Sequence, residues 1–297
     1  MLIRPARADE LQRTQELIVR SINDLTKRHG FGPMASVRAP QFQLFSLQDD
    51  PEGLWTAEED GQILGAAFSW VCGDFWFLAE LFIEPGQQGR GIGNELLQRT
   101  LRQAAKARAA NKALITFAFN TVSQSLYIRH GLFPKVPLYL FKAERAKLVR
   151  IPAPRLRTEP LQDSAPHLQA LARIDTHALG FSREKHHRFL IGDAAMRGFL
   201  LYAGDDCAGY AYVNGEGHIG PLAAARPNVM GAVFTTALAL AAEVGAPQVT
   251  AFVSGASGAA LGAAMQHGLR MAIPMLLMAE RDFGDWSCYL PRNPGFM

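Results

Sequence analysis

The chain has 297 residues, 48% of them apolar, and a formal net charge of +3. That length suits two domains, and the scattered Lys and Arg form neither a basic run nor an aromatic platform for nucleic acid. The three cysteines, Cys72, Cys207 and Cys288, are far apart with no metal-ligand or redox spacing.

No apolar stretch reaches the ~18 residues that span a bilayer, and the first residues lack a signal-peptide run. The expectation is a cytoplasmic protein with no metal, no membrane and no nucleic-acid partner.

"MLIRPA" reads as a short strand. Asp9 stands near a helix start, and Leu11, Leu17, Ile18 and Ile22 draw an apolar stripe that ends at His29 and Gly30. Asp49-Asp50-Pro51 reads as a turn. "GLWTAEEDGQILGAAFSWV" is a hairpin around Asp60-Gly61. "DFWFLAELFIEP" is a third strand, stopped by Pro85. Trp55, Trp70, Phe75 and Trp76 on these strands read mainly as core. Next come glycines, then a helix with Ile92, Leu96, Leu97 and Leu101 on one side. "KALITFAFN" is a buried strand, "TVSQSLYIRHGL" a helix stopped by Gly131, and "PLYLFKAER" a strand that closes the first unit.

The proline-rich residues 149–155 read as a linker, and the order of elements then repeats. "GFLLYAGDDCAGYAYVN" echoes the first hairpin, with Gly209 matching Gly65. "RHGLFPKVPLYLFKAER" is echoed by "QHGLRMAIPMLLMAER". The reading is an α+β protein in two copies of one fold: residues 1–148, then 156–297.

The glycines pose a chemical question. "GQQGRGIGNELLQ" puts Gly89, Gly91 and Gly93 between a strand and a helix. Glycine costs about 1 kcal/mol against alanine inside a helix, so it is kept here for another reason. Unpaired amides at a helix start and the positive end of its dipole make an anion site. A nucleotide P-loop would need Lys and Ser/Thr after the glycines, and a dinucleotide fingerprint would need glycine at Asn94. Neither fits.

The pattern Gln88-Gly89-Arg90-Gly91-Ile92-Gly93 resembles the Gln/Arg-x-x-Gly-x-Gly/Ala motif of the GNAT superfamily of acyl-CoA N-acetyltransferases. "LAELFIEP" before it resembles the family's strand end. "NTVSQSLYIRHGLF" after it resembles the family's Asn…Leu-Tyr…Gly-Phe element, with Asn120, Leu126, Tyr127 and Gly131 in place. Ser123 replaces the usual alanine and Leu132 the usual phenylalanine. The resemblance covers residues 1 to about 145 well and the rest as a diverged second copy. It implies two tandem GNAT folds, each a mixed, mostly antiparallel, splayed sheet flanked by helices.

It further implies acetyl-CoA as cosubstrate. The pyrophosphate would lie on the amides of Gly89, Arg90, Gly91, Ile92, Gly93 and Asn94, with Gln88 beside them. The pantetheine arm would run along Leu81, Phe82 and Ile83, with Asn120 and Ser123 touching it from the other side. Tyr127 matches the family's general acid, although spacing alone reads it as a core aromatic. Glu80 is the candidate base. Ala79 stands where the family often has its glutamate, and alternation turns Glu80 away unless a bulge near residues 81–83 rescues it. A structural carboxylate at Glu80, with a water chain as base, is the competing reading. His29 and His130 read as helix-end caps, and neighbouring His186 and His187 diverge too far to share a metal.

In the second copy, with Pro85 matched to Pro221, Pro227 and Val229 fall on Gly91 and Gly93, Ala264 on Tyr127 and Ser257 on Asn120. This half is expected to have lost the chemistry and to pack, shape the cleft or form a homodimer. The activity expected is acetyl transfer to a primary amine, of a small molecule first. A protein or peptide amine, or acyl-CoA sensing without turnover, are the alternatives.

Overall fold

The computed structural model describes residues 1–149 and 156–297. The stretch read as a linker lies, apart from its first residue, outside the described residues. Contacts divide the chain into two compact units. One comprises Met1–Phe133 with Met278–Arg281, the other Pro134–Leu277 with Asp282–Met297.

The first unit opens with β1 (Leu2–Pro5) and α1 (Leu11–Arg28). Leu11, Leu17 and Ile18 of the expected stripe are buried. Glu10, not Asp9, fixes the helix entry, accepting the Arg7 amide at 3.0 Å and the Thr56 hydroxyl at 2.9 Å. α2 (Gln41–Asp49) went unread in the sequence, because its apolar residues draw no single stripe. β2 (Leu54–Glu59) and β3 (Gln62–Cys72) form the expected hairpin. Asp60 and Gly61 both take positive φ, 50° and 74°, as a tight turn of this kind requires. β4 (Phe75–Ile83), α3 (Ile92–Lys106), β5 (Asn111–Phe117) and α4 (Thr121–Arg129) complete the unit. β1 to β4 are antiparallel neighbours, and β5 joins β4 in parallel. Leu96 and Leu97 of α3 are fully buried on one face of the sheet.

β6 (Phe133–Glu144) was expected to close this unit. Its residues Leu138 to Glu144 pair instead with the second unit's buried strand. The second unit continues with β7 (Arg157–Pro160), α5 (Ala165–Leu179), α6 (Glu184–Gly192), β8 (Met196–Ala203), β9 (Asp206–Asn214) and β10 (His218–Ala224). Then come α7 (Met230–Glu243), β11 (Gln248–Ser254), α8 (Gly258–Gln266), β12 (Arg270–Ala279) and the short β13 (Tyr289–Leu290). β7 to β10 are antiparallel, β11 is parallel to β10, and β13 pairs with β10. The end of β12 belongs to the first unit. There the Glu280 amide reaches the Lys112 carbonyl at 2.9 Å and Asn111 brackets Arg281.

Both units are thus α+β, with a mixed sheet flanked by helices. All three cysteines are free. No described helix is long and apolar enough to cross a membrane. Among the described residues no cluster of His, Cys, Asp or Glu is arranged to hold a metal.

Candidate active site

β4 and β5 pair only from Phe75 with Asn111 to Leu78 with Leu114. Beyond Leu78 the parallel ladder stops, although both strands run on. The edge of β4 at Leu81, Phe82 and Ile83 therefore has no β5 partner, and apart from the Ile83 carbonyl, which accepts the Ser21 hydroxyl at 2.9 Å, an extended ligand can complete the ladder there.

Where the ladder stops, β4 also bulges. Phe68 pairs with Glu80 and Ser69 with Leu78, so Ala79 is an extra residue. The bulge lies just before Glu80, not at residues 81–83 as expected from the sequence. It decides which way Glu80 faces. Before it, the Trp76 indole points to the α3 side, donating to Gln103 Oε1 at 3.1 Å. After it, Leu81 and Ile83 pack on that same side against Ile92 and Leu96. Regular alternation would send residue 80 after Trp76 and Leu78 to α3. The extra residue sends it to the opposite face, opposite Phe68, whose ring lies 5.4 Å from that of Phe42 in α2.

On that face the Gln43 side-chain amide donates to Glu80 Oε1 at 2.8 Å, and Gln15 of α1 also hydrogen-bonds the carboxyl. Burial pushes the Glu80 pKa up to about 7, and the two glutamines oppose that rise. Gln15 and Gln43 were not singled out in the sequence. A carboxylate's glutamine partners leave no spacing signal, and Gln43 sits on the unread helix.

Tyr127 lies on α4 with 5% of its surface exposed. Burial raises its hydroxyl well above the ordinary phenol range, against a hydrogen bond with Ser123. The phenol therefore keeps its proton at neutral pH. Asn120 caps α4, its Oδ1 accepting the Ser123 amide at 3.2 Å and its Nδ2 donating to Ser123 Oγ at 2.8 Å. One helix thus links Asn120, Ser123 and Tyr127. His130 does more than end this helix: its ring bonds Asn94 Oδ1 at 2.8 Å, fastening α4 to the first turn of α3.

Gly89 and Gly91 take φ of +83° and +82°, and a Cβ on either would meet nothing within 4 Å. The backbone here bends as only glycine does readily, and the space over it is open. Gly91 is the N-cap of α3, so the Ile92 and Gly93 amides face that space with no carbonyl a turn behind them, whereas the Asn94 amide, expected in the cradle, is already bonded to the Gly91 carbonyl at 3.1 Å. This geometry fits a bound phosphate. A Cβ at Gly93 would instead touch Ile83 and Leu126 at ordinary packing distances, from 3.7 Å. The Arg90 guanidinium is engaged elsewhere, with Glu59 at 3.0 Å, which leaves its backbone amide as its contribution to the cradle. The Gln88 side chain reaches the Ile83 carbonyl at 3.4 Å.

The equivalent loop in the second unit is three residues shorter. α3 begins nine residues after Ile83, whereas α7 begins six after Ala224, the residue in matching register. The N-cap there is Val229 with φ −99°, so Val229 stands for Gly91, not for Gly93 as sequence alignment on the prolines suggested. Ser257 caps α8 as Asn120 caps α4, and Ala264 falls at Tyr127's place.

Residues 19–132 match the model of the acetyltransferase (GNAT) family. A search of curated proteins finds no match. Among solved structures, the chain is similar to a putative acetyltransferase from Pyrococcus horikoshii, with 17% identity and a TM-score of 0.76 over 100% of this chain and 95% of that one. It is also similar to a GCN5-related N-acetyltransferase from Sphaerobacter thermophilus, with 16% identity and a TM-score of 0.67 over 97% and 98%. A tandem GNAT protein from the clavulanic acid biosynthesis pathway gives 15%, 0.62, 94% and 97% in the same order. Residues 19–132 are therefore similar to the acetyltransferase (GNAT) family, and the chain as a whole shares the fold of these solved structures, a tandem GNAT protein among them.

Proposed function

We propose that the first unit transfers the acetyl group of acetyl-CoA to the primary amine of a small molecule, by direct attack within a ternary complex. The observation that carries this is the coincidence at one point of β4: the ladder to β5 ends and the bulge turns Glu80 over. The strand's free edge and Glu80 then serve different ligands from one place. Residues 81–83 would bond the donor's arm, and the amides of residues 89–93 its pyrophosphate. A backbone amide near Ile83 would hold the thioester oxygen as it gains charge.

Glu80, on the α1–α2 side, takes the proton from the incoming ammonium, directly or through a water. The freed nitrogen lone pair forms the new bond to the carbonyl carbon as the carbon–sulfur bond breaks. Tyr127 gives its proton to the departing thiolate, the new amide nitrogen loses its second proton to restore the phenol, and Glu80 passes its proton to water. A carboxyl that titrates near neutrality and a phenol that stays protonated are the pair this sequence of proton transfers needs.

The test is release of free thiol from acetyl-CoA against a library of small amines and peptides. Turnover with small amines supports the proposal. Turnover with peptides alone would move the acceptor to the protein class, and binding without turnover would make this unit a sensor.

A further inference from the structure

The second unit keeps the splayed strands but fills the gap with its own chain. Gly65 in β3 and Gly209 in β9 mark the matching register. A Cβ on Gly65 would come within 3.1 Å of the Phe82 carbonyl, and one on Gly209 within 2.3 Å of the Ala223 carbonyl. Gly65 pairs with Ile83 and Ala67 with Leu81, while Gly209 pairs with Ala224 and Ala211 with Leu222. Leu222, Ala223 and Ala224 are thus the counterparts of Leu81, Phe82 and Ile83.

The parallel register of β10 and β11 ends at Ile219 with Ala251, which again opens the edge of the later residues. Here the edge is taken. Leu222 pairs with Leu290, Ala223 pairs with Tyr289, and the Ala224 amide donates to the Cys288 carbonyl at 2.9 Å. From the other wall the Ser257 hydroxyl, at the place of Asn120, donates to the Ser287 carbonyl at 2.9 Å. Cys288, Tyr289 and Leu290 are completely buried.

Further along, Arg183 donates to the Met297 carbonyl. Arg183 is itself buried and held by Asp175 at 3.0 Å. The segment therefore has ladder bonds along one wall, a side-chain bond from the other and a charged anchor at its far end.

We propose that this groove in the second unit is a strand-binding site for peptide, and that its ligand is the chain's own segment 287–297, bound in cis. Main-chain bonds to an open strand edge are a general way to hold an extended peptide, and covalent attachment gives this one a high effective concentration. The Asp285 amide, bonded to the Ala178 carbonyl at 2.8 Å, tethers the segment's entry to the same unit. The comparison with a donor arm rests on the proposed function. The peptide site does not, and its test uses no acetyl-CoA, so either can fail alone.

The experiment compares the full chain with a variant lacking residues 287–297, under reducing conditions, with a synthetic peptide of those residues and a scrambled control. The variant is expected to melt at lower temperature. The peptide, not the control, should bind it with one-to-one stoichiometry and restore the melting temperature. A variant that melts like the full chain, or is folded and gives no binding heat with the peptide, would overturn the proposal. Should the variant not fold, hydrogen exchange on the full chain decides. The Ala224 amide should then exchange as slowly as the β8–β9 ladder. Rapid exchange at Ala224 with that ladder protected would overturn it.

Discussion

At the scale of single residues, the Glu80 carboxyl carries the sharpest consequences. Glu80→Gln is expected to lower kcat/KM at neutral pH by about 10²-fold, the usual scale for losing a general base. The loss should shrink as pH nears the acceptor amine's own pKa. Stability should move the other way. The folded-state pKa is raised from 4.5 to about 7, so the stability linked to this group is full below about 4.5 and is lost as pH rises through 7. Glu80→Gln removes that loss and should melt above the parent at pH 8 but level with it at pH 4. Gln43 donates to the ionised carboxylate, and no charged side chain is among the causes of the shift. Gln43→Leu should therefore move the acid limb of the kcat/KM profile upward from about 7 and largely spare the plateau. An unmoved limb would leave Gln43 as packing only. Tyr127→Phe keeps the buried ring and removes the hydroxyl. A fall in kcat of about 10²-fold with acetyl-CoA affinity kept identifies the acid, and a change within about twofold makes the phenol structural.

At the scale of elements, the glycine turn separates backbone strain from ligand contact. At Gly91 a side chain meets no protein atom but must accept φ of +82° and enters the open space over the amides. Gly91→Val should therefore weaken acetyl-CoA binding sharply while costing only modest stability. Titration calorimetry beside thermal melting checks both, and an unchanged Kd would remove this turn from the donor site. The turn, the Asp60-Gly61 hairpin and the stripe of α3 were legible because each rests on residues close in sequence. The bulge at Ala79 was not. A bulge is set by how two strands register against each other, and "FLAELF" reads the same with or without it. The shorter loop before α7 was hidden for a related reason. Matching Pro85 to Pro221 aligned residues by type, while the sheet aligns Ile83 with Ala224.

At the scale of the whole molecule, two copies of one fold were legible from the repeated order of elements, but not which strand each unit would take. β6 has the apolar pattern of a strand anywhere, and its pairing with β11 is a long-range choice that local pattern does not encode. The same holds for β13, two residues long and too short to read, yet it fills the second unit's groove. If the proposed function holds, the filled groove sets how many acetyl-CoA molecules one chain would bind. The first unit offers an open strand edge and an open glycine turn. The second has Val229 at the N-cap, Ala264 in Tyr127's place and residues 287–290 along the matching edge. Calorimetric titration should give one site per chain. Val229→Gly should leave that number unchanged, because a reopened turn still faces an edge whose bonds are taken by Cys288, Tyr289 and Leu290. Two sites in the parent chain would mean that the second unit releases its own segment to the donor. Two sites in Val229→Gly alone would mean that the turn, not the segment, had kept the donor out.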